Sequence, residues 1–258
     1  MTDDREFVSA RVLAPSGPRA DALAVEAPLE LRVGGKPVAV LMRTPGHDDE
    51  LVAGFLFAEG VIADADELLA VEPVAPNVVE ARLSVARRAP AERGTVTSSA
   101  CGVCGKQSLA DLDVRAPVVA SALRVPRSVL QSLPSKLREA QPLFARTGGV
   151  HASGLFAPTG ELLAVREDVG RHNALDKLVG WALAEGRVPL SNFVLLASGR
   201  LSFELVQKAI AAGAPVLAGV GAPSSLAVEL AERFGVTLAG FVREDGLNVY
   251  AHAERLTE

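Results

Sequence analysis

Two cysteines in 258 residues, 49% of them hydrophobic and 22% charged, exclude the disulfide framework of a small secreted domain. A chain this long buries enough surface to need neither disulfides nor a structural metal. The formal net charge of −5, with eleven aromatic residues and none alternating with arginine, argues against a nucleic-acid-binding surface.

Met1-Thr2-Asp3-Asp4-Arg5-Glu6 lacks the basic stretch and apolar core of a signal peptide. The longest uncharged run, Ala209 to Val228, is interrupted by Pro215, Pro223 and three glycines, which suits strand, loop and helix rather than a bilayer span. A soluble, cytoplasmic protein is expected, with no membrane partner. Its charge is uneven. Between Arg82 and Arg146 eleven Lys/Arg stand against four Asp/Glu, a local +7 that leaves −12 for the remainder. Such a block marks a meeting place for an anionic partner.

In chain order, the first twenty residues, with Pro15, Gly17 and Pro18, read as a loosely held terminus. Residues 22–42 form two strands joined by the hairpin signal Gly34-Gly35-Lys36-Pro37. Thr44-Pro45-Gly46 breaks the second strand. Asp48 then caps a helix running through Ala58, with Leu51, Val52, Phe55 and Leu56 toward a core and Gly60 as its stop. Residues 77–85 alternate like a half-buried strand, and the aperiodic stretch 90–97 holds a boundary.

Residues 126–141 read as a helix that Pro134 interrupts. Strands at 150–157 and 162–166 flank the turn Ala157-Pro158-Thr159-Gly160, and a helix from Arg171 to Glu185 stops at Gly186. Strand 193–197, helix 202–212, strand 216–220, helix 225–234, strand 236–242 and a last strand near Val249 follow. This alternation predicts a mostly parallel sheet covered on both faces. Ligands then collect at the carboxyl ends of its strands, on Ser198-Gly199-Arg200, Gly221-Ala222-Pro223-Ser224 and Arg243-Glu244-Asp245-Gly246.

Cys101-Gly102-Val103-Cys104 has the spacing of a redox dithiol, half a zinc site or a sulfur relay. No second C-x-x-C or H-x3–5-H pair completes a zinc site. The glycines and serines around the pair predict a mobile loop, and Lys106 with the neighbouring arginines stabilises a nucleophilic thiolate. Glu167-Asp168-Val169-Gly170-Arg171-His172-Asn173 sets two cations in the first turn of a helix, where the dipole disfavours them. They suit an anion-binding corner, with Glu167 and Asp168 orienting or neutralising them.

Thr147-Gly148-Gly149 before His151 permits close backbone approach to a ligand. Ser198-Gly199-Arg200 leading to Ser202 suits phosphate. Gly219-Val220-Gly221-Ala222-Pro223-Ser224 misses the dinucleotide fingerprint, and His252-Ala253-Glu254 matches the deaminase H-x-E by chance, because the cysteines lie far upstream.

Together these residues resemble the FdhD family of formate dehydrogenase accessory sulfurtransferases. The set comprises Thr44-Pro45-Gly46, Glu50-Leu51, Gly54-Phe55, Glu59-Gly60, the C-G-x-C-G loop at 101–105 and Thr147-Gly148-Gly149 with His151-Ala152. Glu167 through Ala174 with Asp176-Lys177, Ser198-Gly199-Arg200, Gly240-Phe241 and Asn248-Val249-Tyr250 complete it.

The resemblance implies a C-terminal cytidine-deaminase-like α/β domain, a three-layer mixed sheet with helices on both faces and without the deaminase zinc. A smaller N-terminal β-rich α+β subdomain would stand beside it. The expected division is 1–96 for the N-terminal part, 97–125 for the mobile C-x-x-C region, and 126–258 for the domain that binds the cofactor nucleotide.

The resemblance further implies that the protein takes persulfide sulfur from a cysteine desulfurase. It would pass that sulfur to the molybdenum (or tungsten) bis-molybdopterin guanine dinucleotide cofactor, bound as substrate, before formate dehydrogenase receives it. Cys101 would carry the persulfide with Cys104 as its partner. Cofactor contacts fall on Phe241, Val242, Arg243, Glu244, Asp245 and Gly246, with Phe241, Arg243 and Gly246 favoured because acidic side chains sit poorly beside phosphate. Thr147, Gly148, Gly149, His151, Arg171, His172, Asn173, Ser198, Gly199, Arg200 and Ser202 form the expected cradle for guanine nucleotide and phosphate. A homodimer is implied, and no protein-ligated metal. The other class of reading is a chaperone that carries the finished cofactor without chemistry.

Overall fold

The computed structural model describes residues 6–84 and 116–258. Its first elements correct the expectation of a loose terminus: β1 (Phe7–Ala14) and β2 (Gly17–Ala24) pair antiparallel from Phe7↔Ala24 to Ala14↔Gly17. Gly17, at φ 107, closes the tight turn over Pro15-Ser16. A two-stranded hairpin is marginal alone. Here the Phe7 ring lies 3.8 Å below the Arg146 guanidinium, and Val25 donates its N–H to the Glu6 carbonyl at 2.8 Å.

The Gly34-Gly35 signal folds as expected, joining β3 (Ala27–Val33) to β4 (Lys36–Arg43). With β5 (Leu68–Ala75) and β6 (Val78–Leu83) they form a four-stranded sheet in the order β4-β3-β6-β5. Helix α1 (Asp48–Ala58) covers it, burying Leu51, Val52, Phe55 and Leu56 against Leu29, Leu31 and Leu41. Asp48 does not cap this helix. Its carboxylate takes two N–H bonds at 2.9 Å from Arg43, whose side chain is 3% exposed. A buried guanidinium left unpaired costs more than helix N–H groups that water can reach, so the arginine wins the carboxylate.

After residue 116 come β7 (Val125–Pro126), α2 (Arg127–Glu139), α3 (Pro142–Thr147), β8 (His151–Phe156), β9 (Leu162–Asp168) and α4 (Arg171–Ala184). Then follow β10 (Val194–Ala197), α5 (Phe203–Ala211), β11 (Val216–Gly219), α6 (Ser225–Phe234), β12 (Thr237–Arg243) and β13 (Gly246–Ala251), with β14 (Leu256–Thr257) beside β7. Pro134 does not break α2. Leu130, Leu133 and Leu137 are all at most 1% exposed, and burying three leucines outweighs the ~3 kcal/mol an interior proline costs.

The main sheet runs β13-β12-β11-β10-β8-β9. Parallel pairing is confined to β10, β11 and β12; β8, β9 and β13 each pair antiparallel with their neighbours, so the sheet is mixed rather than mostly parallel. Hairpin connections at both ends of the chain segment cause this, since a short turn can only return antiparallel. One face packs α4, α5 and α6 over Leu155, Leu195, Leu217 and Leu238. The other packs α2 over Phe156, Leu196, Ala218 and Val242. Helix α1 lies directly against α4, joining the smaller sheet to the larger. No helix among the described residues is long and apolar enough to cross a membrane.

Candidate anion-binding site and adjoining cleft

Strands β10 and β11 end side by side, and their following loops are stitched together. Gly221 donates to the Gly199 carbonyl at 3.1 Å, Leu201 to Ala222 at 3.0 Å, and Ser224 to Leu201 at 3.0 Å. Ser198 fixes the start of β8, its Oγ accepting from the Ala152 N–H at 2.8 Å while its own N–H reaches the Ala152 carbonyl at 2.9 Å. Because β9 runs parallel to β10 two strands away, α4, α5 and α6 all begin at this end of the sheet. Three helix N-termini bring three positive dipole ends to one place. Parallel strand packing builds the pole.

Cations reinforce it. His151 rests against Gly199, where a Cβ would stand 3.3 Å from the imidazole. Burial lowers the His151 pKa, and the positive charges of Arg171, His172 and Arg200 lower it further. The imidazole is therefore mostly neutral at pH 7. The Arg171 guanidinium has no carboxylate partner among the described residues, and its Nε is buried without a hydrogen bond. Arg200 is exposed, also without a carboxylate partner among them.

The rest of the acidic–glycine–arginine block is used differently from the expectation. Neither Glu167 nor Asp168 bonds Arg171 or His172. Glu167 accepts the Leu143 and Phe144 N–H groups at 2.9 and 2.8 Å, holding the first turn of α3. Asp168, fully buried, takes the Lys177 ammonium at 2.7 Å, the Thr44 N–H at 3.0 Å and the Gly170 N–H at 2.8 Å. Lys177 also donates to the Thr44 carbonyl at 2.8 Å, and Asn173 donates to Asp168 at 3.0 Å and to Met42 at 2.7 Å. These groups lock the Thr44 turn onto α4. Asn173 and His172 are almost wholly buried: His172 Nε2 lies 3.0 Å from Ser202 Oγ and 2.9 Å from Glu204 Oε2. Both Ser202 and Glu204 meet the same nitrogen, so the three do not form a nucleophile–base–orienter line.

A cleft of about 570 Å³ opens beside the pole, lined by Gly148, Gly149, His151 and Ser198 together with Arg138, Gln141 and Phe144. Thr147 does not line it; its Oγ1 donates back along α3 to the Leu143 carbonyl at 2.8 Å. Arg138, Gln141 and Phe144 were absent from the sequence-derived set. Helix α3 has six residues, too few for a hydrophobic period. Pro142 at its start and Gly148, at φ 64, just past its end were the available signal.

On the far side of the stitched loops Phe241 has φ 51, and the residue is 39% exposed. Its N–H bonds the Gly221 carbonyl at 3.1 Å, so a bulge holds it in a conformation that a side chain resists. Arg243, Glu244 and Asp245 form the exposed tip of the same hairpin and Gly246 closes it. Val242 differs: its side chain is fully buried under α2, leaving only its backbone to meet a ligand. Cys101, Cys104 and Lys106 lie outside the described residues. Among the described residues no three His, Cys, Asp or Glu side chains gather as a metal site.

Comparison with known proteins is consistent along most of the chain. The sequence model of the FdhD/NarQ family matches residues 24–257. A protein of Mycobacterium tuberculosis named "Sulfur carrier protein FdhD" is 50% identical over 256 residues, covering 93% of each chain. One of the same name from Saccharolobus solfataricus is 46% identical, covering 92% of this chain and 91% of that one. A solved structure from Desulfotalea psychrophila, described as a formate dehydrogenase accessory protein, superposes with a TM-score of 0.76 at 27% identity, covering 97% of this chain.

Proposed function

The chain belongs to the FdhD/NarQ family, and from that premise we propose that it is a sulfur-transfer protein acting on the cofactor of formate dehydrogenase. Sulfur arrives as a persulfide from a cysteine desulfurase and leaves on molybdenum (or tungsten) bis-molybdopterin guanine dinucleotide, bound as cargo. The names of the relatives, sulfur carrier proteins, support the transfer role. The observation that carries the cargo reading is the pole itself, where three helices begin at one end of the sheet and His151, packed on Gly199, feels the charges of Arg171 and Arg200 beside a cleft large enough for a nucleotide.

On this reading the Cys101 thiolate attacks the terminal sulfur of the desulfurase persulfide. The desulfurase S–S bond breaks, its thiolate departs with the electron pair, and a new S–S bond forms on Cys101. Attack by the Cys104 thiolate on the Cys101 sulfur then forms a disulfide and releases sulfide, which supplies the two electrons a terminal sulfido ligand needs. Arg171, Arg200 and the N–H groups at the start of α4 hold the cargo phosphates, with Ser198 and Gly149 shaping the approach. The work is cytoplasmic, and the protein acts as a homodimer that meets the desulfurase and the dehydrogenase catalytic subunit in turn.

Intact mass after incubation with cysteine and a desulfurase tests the chemistry. A sulfur adduct of about 32 Da is expected on the wild type and absent in Cys101→Ala. No adduct, with GDP still bound, would leave only a cofactor-carrying chaperone. GDP affinity tests the pole: Arg171→Ala is expected to weaken it about tenfold.

A further inference from the structure

Arg138 lies flat on Phe144, its guanidinium carbon 3.7 Å from the ring centroid, and both side chains line the cleft that His151 and Ser198 close at the pole. Each is fixed from behind. Arg138 belongs to the last turn of α2, where the helix dipole favours a cation, and Leu137 beside it is 1% exposed. Phe144 sits in the α3 turn whose N–H groups the Glu167 carboxylate holds. One face of the guanidinium rests on Phe144. No carboxylate or second ring among the described residues takes its other face.

An exposed arginine on an ordinary surface finds a carboxylate or water. This one is stacked over Phe144 in the wall of a cleft that Leu137, Val150, Val169 and Val220 also line. A guanidinium plane backed by an aromatic ring stacks well on another flat π system. Phosphate needs no such plane and is already served by the pole.

We propose that Arg138, seated on Phe144, is the stacking platform for a flat heteroaromatic ring, purine or pterin, of the ligand whose phosphates the pole receives. The proposal rests on the cargo reading above and deepens it, since it assigns the ring end of the cleft.

Calorimetric titration of the full chain with GDP, with free pterin and with inorganic pyrophosphate tests it. Arg138→Ala is expected to weaken the ring-bearing ligand about tenfold and to leave pyrophosphate within about threefold. Arg138→Lys should behave like the alanine variant, because lysine restores the charge but not the plane. Loss of GDP affinity assigns the cleft to the purine; loss confined to pterin assigns it to the pterin. Unchanged ring affinity in Arg138→Ala, or full rescue by lysine, overturns the platform while the pole stands. Wild-type protein that binds GDP no better than pyrophosphate, and pterin not at all, also overturns it. Failure of pyrophosphate and GDP alike to bind would instead remove the cargo reading beneath it.

Discussion

Gly180 of α4 lies so close to the Glu50 carbonyl of α1 that a Cβ there would collide with the oxygen, and Gly54 of α1 meets the Asp176 carbonyl in the same way. The two helices touch backbone to backbone at both points. This contact carries the smaller sheet onto the larger one. It also sets the Thr44 turn where Asp168 and Lys177 can reach it.

Alanine at either glycine should therefore lower stability. Helix propensity alone favours alanine by ~1 kcal/mol, but both obstacles are backbone and cannot rotate away. A net loss of about 2 kcal/mol, or a Tm lower by roughly 4–8 °C, is expected for Gly54→Ala and for Gly180→Ala. A Tm equal to or above wild type in calorimetry would contradict the close approach.

Lys177→Met should be among the costliest single changes. It leaves the Asp168 carboxylate buried without its cation, at a cost of about 3–5 kcal/mol. Asp168→Asn combined with Lys177→Met should recover part of that loss, since the stranded charge goes too. Urea midpoints of the single and double variants measure both effects.

Glu50 supplies a pH signature. Burial raises its carboxyl pKa, but hydrogen bonds and charge from Arg166 and His47 overcome this and bring it down to about 2. A carboxylate depressed in the folded state stabilises it above the unfolded pKa near 4.5, and that help disappears as pH falls toward 2. The contribution is on the order of 1–2 kcal/mol, trimmed because water reaches the pair. Glu50→Gln should thus be less stable than wild type at pH 7 and nearly equal to it at pH 2.

On the proposed reading, His151 links protons to anion binding. Its pKa lies below the usual histidine value in the free protein, held there by burial and then by Arg171, His172 and Arg200. A bound polyanion favours the charged imidazole and raises that pKa. Pyrophosphate should then bind more tightly as pH falls through the window between the free and bound values, by several-fold between pH 8 and 6. His151→Gln should remove the part of that dependence that exceeds the ligand's own titration. Gly199→Ala, which crowds the ring at 3.3 Å, should weaken pyrophosphate several-fold while moving Tm by less than about 2 °C.

Much of the fold was legible locally. Glycines at positive φ end α1, α4 and α6 where the patterns stop, at Gly60, Gly186 and Gly235. The Gly34-Gly35 turn and the strand–helix alternation after Val150 followed the same kind of signal. The β1–β2 hairpin and the unbroken α2 depart from their local signals because Pro15, Pro18 and Pro134 are breakers only until packing is counted.

The site divides along the same line. By itself the sequence determined which residues stand out as a candidate set: cations beside glycines at strand ends, two cysteines within a basic block, and a glycine–arginine–histidine–asparagine helix start. Such signals need only composition, spacing and backbone freedom. Tertiary structure alone decided their roles. Arg171 was left open to an anion, while Asp168, Asn173 and Lys177 were turned to a loop more than a hundred residues away. Arg138 was laid on Phe144 at the cleft wall. The physical reason is desolvation: a buried charge takes whichever partner packing brings within hydrogen-bond reach, and packing joins residues that no spacing along the chain relates.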